Sequence, residues 1–341
     1  MGKENAMHNR GTMQPAGRFP AVLLVFILLV GCSAAPKEIE VVRTQELMST
    51  PVTLTLTGTD KGKLEGLAEE AFAFMRTDSS RFNIYDPASE VSRLNAAPAG
   101  RPVRISPELA EVLRAAQAAH RNTDGYFDVT VRPLVLLWKE AKQTGTLPTE
   151  AEIKKALSLV GFANVALAGD TVTFRKPGIS VDLGGIAKGY VVHRTTEYLK
   201  QRGVKAGIVD AGGDLFAWGK KPDGSKWRIG IQHPREKTVF KVLELEDQAV
   251  LTSGDYERYF IRDGRRYSHI VNPFTGMPDS DVVSITVVSP SLMAVDGLSA
   301  GLLAMGSAKA AVKIPLLKKT LPGVDFYLMR MDGDSLKTEG F

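Results

Sequence analysis

The sequence has 341 residues, 44% hydrophobic and 24% charged, a globular composition that excludes disordered, collagenous and coiled-coil chains. One cysteine excludes an internal disulfide and a Cys-based zinc cage. Net charge is +5, and 40 basic against 37 acidic residues remain after residue 31, a surplus too mild to argue for a nucleic-acid partner.

Arg10 and Arg18 precede an apolar run, Phe19 to Val30. That run is shorter than the ~20 residues of a membrane span, so residues 1–31 read as a signal peptide. It ends Leu29-Val30-Gly31-Cys32, which resembles the bacterial lipobox, with Cys32 as the diacylated mature N-terminus. An ordinary signal peptide with an incidental cysteine is the alternative. Ser33 is not the aspartate that resembles an inner-membrane retention signal, which points to the outer membrane in a Gram-negative cell. Residues 32–45 read as a tether and 46–341 as one domain.

Within that domain, Leu47 to Thr59 alternates Val52, Leu54 and Leu56 against threonines, the pattern of a strand with one buried face. Lys63 to Arg76 has the spacing of an amphipathic helix. Ser106-Pro107 opens a helix to about Asn122, with Ser as N-cap and Pro at the first position. Thr149 with Glu152 forms a capping box for a third helix. Strands are expected over Val165 to Arg175, Ile179 to Asp182, Ile208 to Asp210, Leu215 to Trp218, Trp227 to Ile231, Phe240 to Leu245, Ala249 to Thr252 and Val282 to Val288. Helices are expected over Gly185 to Arg202 and Leu292 to Met305. Strands and helices mix without strict βαβ alternation, which predicts an α+β fold with largely antiparallel sheets. No GxGxxG or GxxxxGK[ST] phosphate loop is present.

Chemistry concentrates in a few segments. Ser180-Val-Asp182-Leu-Gly184-Gly185-Ile-Ala-Lys188 reads as strand, glycine pair and helix start, where backbone N–H groups and Lys188 can meet an anion. A helix merely capped by Asp182 fits the same letters. Asp210-Ala-Gly-Gly-Asp214 places two acids around a turn, converging on a site or only capping it. His269 lies between a strand and the Asn272-Pro273 turn; a lone histidine is often structural. Asp296 is the one acid in an otherwise apolar segment; it could serve as a second N-cap, or, as a buried acid, need a partner or a metal. Tyr85-Asp86 and Tyr126-Phe127-Asp128 set aromatics beside turns, able to stack on a flat ring or to fill the core.

Together these segments resemble the ApbE-type FAD:protein FMN transferases. The likeness runs from about Met48 to Met305 through LMSTPVTLTL, YDPASEVSRLN, DGYFDVTV, VDLGGIAKGYVV, GGDLFAWG, LTSGDYERYF, YSHIVNPFTG and AVDGLSAGLLAMG. The resemblance implies a T-fold-like core and magnesium-dependent splitting of FAD. FMN would join a threonine of a periplasmic or membrane-bound flavoprotein through a phosphoester, with AMP leaving. It implies FAD contacts at Met48, Tyr85, Tyr126, Phe127, Asp128, Asp182, Lys188 and Ile270. It implies Mg2+ at the Gly185 carbonyl and Asp296, and a general base, poised near neutrality, at His269. The family's third metal ligand, a threonine hydroxyl, falls at Ala300, which has none. An FAD pyrophosphatase releasing FMN and AMP, or a non-catalytic FAD-binding lipoprotein, would share the same pocket.

Overall fold

A computed structural model describes residues 37–236, 238–278 and 280–341; the expected signal peptide and the expected lipidation site, Cys32, lie outside them. The chain begins with a hairpin of β1 (Ile39–Leu47) and β2 (Thr50–Gly58), turned by Met48 and Ser49 at φ +53° and +59°. Most of β1 was expected to be tether. Of its nine residues only Val41 is buried, and Glu40, Arg43 and Glu46 interrupt it, as befits a sheet edge protected by charge.

Helix α1 (Lys61–Ser80) starts at the Asp60 cap and runs past the expected end at Arg76. Then come α2 (Glu90–Asn95), β3 (Val103–Arg104) and α3 (Pro107–Asn122). The Ser106 hydroxyl caps α3 as expected, accepting from Leu109 N. Helix α4 (Arg132–Thr144) ends at Gly145 in the left-handed region, and α5 (Glu150–Leu157) carries the expected Thr149–Glu152 capping box. The single strand expected over 165–175 folds back into β4 (Val165–Ala168) and β5 (Thr171–Phe174), which join β3 in a small sheet. Ile179 to Asp182 is no strand. Its backbone groups bond instead to the Asn95 side chain and the Val129 carbonyl.

Helix α6 (Ala187–Gln201) is followed by β6 (Gly207–Ala211), β7 (Asp214–Trp218), β8 (Trp227–Gln232), β9 (Val239–Leu245) and β10 (Gln248–Gly254). The ribbon β11 (Tyr259–Arg262) and β12 (Arg265–Ser268) precedes β13 (Val282–Ser289). The expected helix over 292–305 is two, α7 (Leu292–Val295) and α8 (Leu298–Met305). Helix α9 (Ser307–Thr320), β14 (Asp325–Arg330) and β15 (Ser335–Lys337) finish the chain.

Eight strands form one sheet in the order β1-β2-β6-β7-β10-β13-β14-β15, with every pairing antiparallel. Alternation along β7 separates its two faces. Phe216 and Trp218 join the main core under α1, α6, α8 and α9, while Leu215 and Ala217 pack under the β8–β9 ribbon with Trp227 and Leu245. The fold is therefore the α+β architecture expected. Its sheet brings the β1–β2 and β6–β7 turns to one end, because Val52 pairs with Ala211.

Candidate active site

The β6–β7 turn is Gly212-Gly213, at φ +65° and +94°, conformations that side chains rarely adopt. A Cβ on Gly212 would also lie 3.1 Å from Thr50 Cβ and closer still to its hydroxyl, so the turn packs on the neighbouring hairpin. Asp210 accepts from Gly213 N at 2.8 Å, and the turn delivers Asp214 to the first position of β7. There its carboxylate meets Lys188 Nζ at 2.6 Å. Burial works against the Lys188 ammonium. The nearby charges of Asp214, Glu257 and Asp296 outweigh it and leave its pKa raised. Lys188 stands in the first turn of α6, whose N-terminus no side chain caps. Asp182 spends one oxygen on Gly184 N at 2.9 Å, holding the turn that enters this helix.

Asp296 sits in the break between α7 and α8, where Gly297 has φ +82°. Its carboxylate lies against α6 at Gly189: a Cβ there would be 2.7 Å from Asp296 Cγ and nearer to Oδ2. Asp296 is 5% exposed, and its Oδ2 is buried with no hydrogen-bond partner. Burial first, then the Asp214 charge, push its pKa well above the ordinary carboxylate range; Lys188 and the N–H groups of Gly297 and Tyr190 oppose this. An orphaned carboxylate oxygen beside a cradle of this kind suits a cation. Among the described residues no three His, Cys, Asp or Glu side chains cluster as a ligand set, so a metal here would need backbone, water or substrate oxygens. Ser299, next to the expected ligand position, hydrogen-bonds Ser253 at 2.9 Å.

His269 follows β12. Its backbone N–H and its Nδ1 both meet the Arg258 carbonyl, at 2.9 Å and 3.1 Å. A carbonyl only accepts, so Nδ1 carries the proton and Nε2 the lone pair. The ring reaches solvent in a recess crowded by protein. That crowding brings its pKa down to about 4; the Arg258 and Lys188 cations add to the fall, while the hydrogen bond to Arg258 opposes it. The imidazole is thus neutral and further below neutrality than expected. Arg258 reaches back to the Ser49 carbonyl at 3.4 Å, which ties His269 to the β1–β2 turn beside the half-buried Met48.

On the other flank, Phe127 is buried against Gly185 and Gly297: its ring would lie 3.2 Å and 3.0 Å from a Cβ added at each. Tyr126 stands edge-on to the exposed Phe274, with Lys309 over its ring. Phe274, Gly125, His120 and Phe162 line an adjacent cavity of about 490 Å³, away from Lys188.

The family model for ApbE matches residues 48–327. The chain belongs to the ApbE family. It is 37% identical over 250 residues to an FAD:protein FMN transferase of Vibrio cholerae, covering 70% of this chain and 75% of that one. A Haemophilus influenzae protein of the same name is 35% identical over 253 residues, 71% of this chain and 73% of that one. Among solved structures, the ApbE protein of Thermotoga maritima superposes with a TM-score of 0.80 at 32% identity, covering 88% of this chain and 97% of that one. The Pseudomonas stutzeri flavinyl transferase ApbE, in its apo form, gives 0.78 at 31% identity, with 89% and 96% covered.

Within this ApbE chain, the expected residues fall into three groups. Lys188, Asp296, His269, Asp182, Gly185, Phe127 and Met48 gather around the two turns and the start of α6, with Tyr126 next to Phe127 on their flank, edge-on to Phe274. Asp128 is an internal brace: its carboxylate accepts from Thr130 N, Thr130 Oγ1 and Phe162 N. Tyr85 stands on the surface, 72% exposed, with Lys139 over its ring, and Ile270 is half-buried against the core. The site also uses Asp214, Glu257 and Arg258. The acids around Gly212-Gly213 carried a signal for Asp214; the other two sit inside LTSGDYERYF without one.

Proposed function

We propose that this chain is an FAD:protein FMN transferase, joining FMN to a threonine of an acceptor flavoprotein. The observation that carries this reading is a cation, an orphaned carboxylate oxygen and a neutral imidazole brought to one end of the sheet. The acceptor hydroxyl oxygen bonds to the phosphorus that bears FMN. The bond from that phosphorus to the bridging oxygen breaks, and its electron pair leaves with AMP.

Such a transfer calls for charge neutralisation and alignment rather than a covalent nucleophile. Lys188 turns from Asp214 toward the pyrophosphate, and the open start of α6 adds N–H donors. His269 Nε2 accepts the hydroxyl proton. Bound phosphates bring negative charge near the ring and raise its pKa toward the working range.

Magnesium belongs to the same proposal. Asp296 and the Gly185 carbonyl would hold it, and it would offset charge on the phosphate oxygens. With alanine at 300, water or substrate oxygens would complete its shell.

Cys32, as a lipidated N-terminus, would hold the protein to the periplasmic side of a bacterial membrane, the outer one by the Ser33 criterion. The support for this is the lipobox-like Leu29 to Cys32.

The test is to incubate the protein with FAD, Mg2+ and a candidate periplasmic flavoprotein, then weigh the acceptor. Addition of FMN to a threonine is expected, with AMP released in equal amount. Release of free FMN and AMP beside an unmodified acceptor would turn the assignment to a hydrolase.

A further inference from the structure

The groups that aim His269 are themselves held from behind. The ring is oriented through the Arg258 carbonyl, and Arg258 follows Asp255 in the turn that leaves β10. The Asp255 N–H donates to the Val283 carbonyl at 2.9 Å, which sews its backbone to β13. Its carboxylate is 5% exposed. There it accepts from both terminal nitrogens of Arg235, Nη1 to Oδ1 and Nη2 to Oδ2, each at 2.7 Å. Arg266 places its Nε 3.9 Å from Oδ2.

The two arginines come from different elements. Arg235 belongs to the loop between β8 and β9, where His233 Nδ1 accepts from the Arg235 and Glu236 N–H groups at 3.3 Å and 3.1 Å and shapes the turn. Arg266 belongs to β12, which leads into His269, and its guanidinium covers the Tyr259 ring of β11 at 3.9 Å. Asp255 therefore joins the main sheet, the β8–β9 loop and, through Arg266, the ribbon whose ladder continues into the Arg258–His269 contact. A buried ion pair is weak evidence for stability, since desolvation offsets much of its attraction. Two parallel hydrogen bonds, by contrast, fix distance and plane together.

We infer that Arg235 and Asp255 are positioning residues for His269: their pair sets where the Arg258 carbonyl stands, and that carbonyl selects which ring nitrogen carries the proton. With the Nδ1 proton held by the carbonyl, the Nε2 lone pair is left for the acceptor hydroxyl. Once the carbonyl shifts, the proton settles on Nε2 as well, and the nitrogen that should accept becomes a donor. The catalytic consequence rests on the transferase reading; the orientation of the ring does not.

The experiment compares the full chain with Arg235→Lys, which keeps the charge and loses the fork. Acceptor labelling with FAD and Mg2+ gives kcat and KM. NMR of isotope-labelled histidine at pH 7, where the ring is neutral, gives the tautomer of His269, identified by the signal lost in His269→Asn. The wild-type ring is expected with its proton on Nδ1 alone. In Arg235→Lys the two tautomers should mix and kcat fall at least tenfold, part of the roughly 100- to 10,000-fold that a general base supplies. The KM for FAD should stay within twofold. If that variant does not fold, Arg235→Met combined with Asp255→Asn serves, since no buried carboxylate is then left without its fork; the same changes in tautomer and kcat are expected.

A kcat within threefold of wild type, or a single unchanged tautomer, would overturn the inference. So would a loss expressed only in the KM for FAD, or a lower melting temperature with kcat per folded molecule and tautomer unchanged, which marks a pair that serves stability alone. A wild-type chain that labels no acceptor sinks the transferase reading, and the tautomer comparison then decides the positioning role by itself.

Discussion

Gly189→Ala tests the seat of Asp296. The added Cβ would lie 2.7 Å from Asp296 Cγ, closer to Oδ2, and crowded by Leu292 on the same side. Restoring ordinary carbon contacts of about 3.5 Å requires a displacement of roughly 1 Å. Position 189 is the third residue of α6, so the backbone gains about 1 kcal/mol from alanine's helix propensity. Overpacking costs about 1–3 kcal/mol, leaving a net loss of about 0–2 kcal/mol and a fall of a few degrees in Tm. A 1 Å misplacement of a reacting group can cost about 100-fold in rate. The expected outcome is a folded protein that binds FAD and releases AMP about 100-fold more slowly. The assay follows AMP release across a magnesium titration, with flavin fluorescence for binding and melting curves for stability. A variant within threefold of wild type, with the same magnesium response, would show that Asp296 does not act from this seat.

Asp296→Asn keeps the shape and removes the charge. Turnover should drop ~100- to 1000-fold, about 3–4 kcal/mol, while FAD still binds; near-normal turnover in Mg2+ would count against the metal role. For His269 the folded pKa of about 4 lies below the ordinary 6.5. As pH falls from 6.5 through about 4, the unfolded chain takes up a proton before the folded one does, so this group's contribution to stability declines over that window. The acid limb of kcat/KM, which reports the free enzyme, should sit near pH 4, and that of kcat higher once phosphates are bound; a kcat/KM limb at 6.5 would contradict the desolvated ring. Cys32→Ser should release the protein from membranes, or leave the precursor unprocessed, without altering the folded domain; unchanged partition and processing on fractionation would refute lipidation.

The fold was legible wherever a local signal determines local structure. Ser106-Pro107 and Thr149 with Glu152 announce helices because their capping hydrogen bonds close within three residues. Strand β2 announces itself by alternation, since one face is buried against the core. The misses have tertiary causes. Strand β1 lies at an edge with little to bury. Helix α4 begins at Val131, which offers no capping side chain, and α9 runs through Pro315, which reads as a breaker. At Gly169-Asp170 a turn splits an apolar run whose total length fits a single strand.

The site divides along the same line. Lys188 was visible because two glycines before a helix start describe an anion-facing turn by themselves. Its partner Asp214 was half visible: the turn signal was there, but the ion pair joins α6 to β7 and exists only in the folded sheet. The sharpest lesson is Asp296. Its segment reads as one apolar helix, and on that helix residue 300 would share its face. Gly297 at φ +82° breaks the helix one residue after the carboxylate. Asp296 is thereby turned against Gly189, with its N–H still bonded to Leu292 O at 3.0 Å. The seat of the carboxylate is therefore set by its packing against α6 and not by a face of one continuous helix. There the absence of a side chain at Gly189 makes room for the carboxylate. Room of that kind appears only when two distant segments are packed together, and no spacing rule along either segment alone contains it.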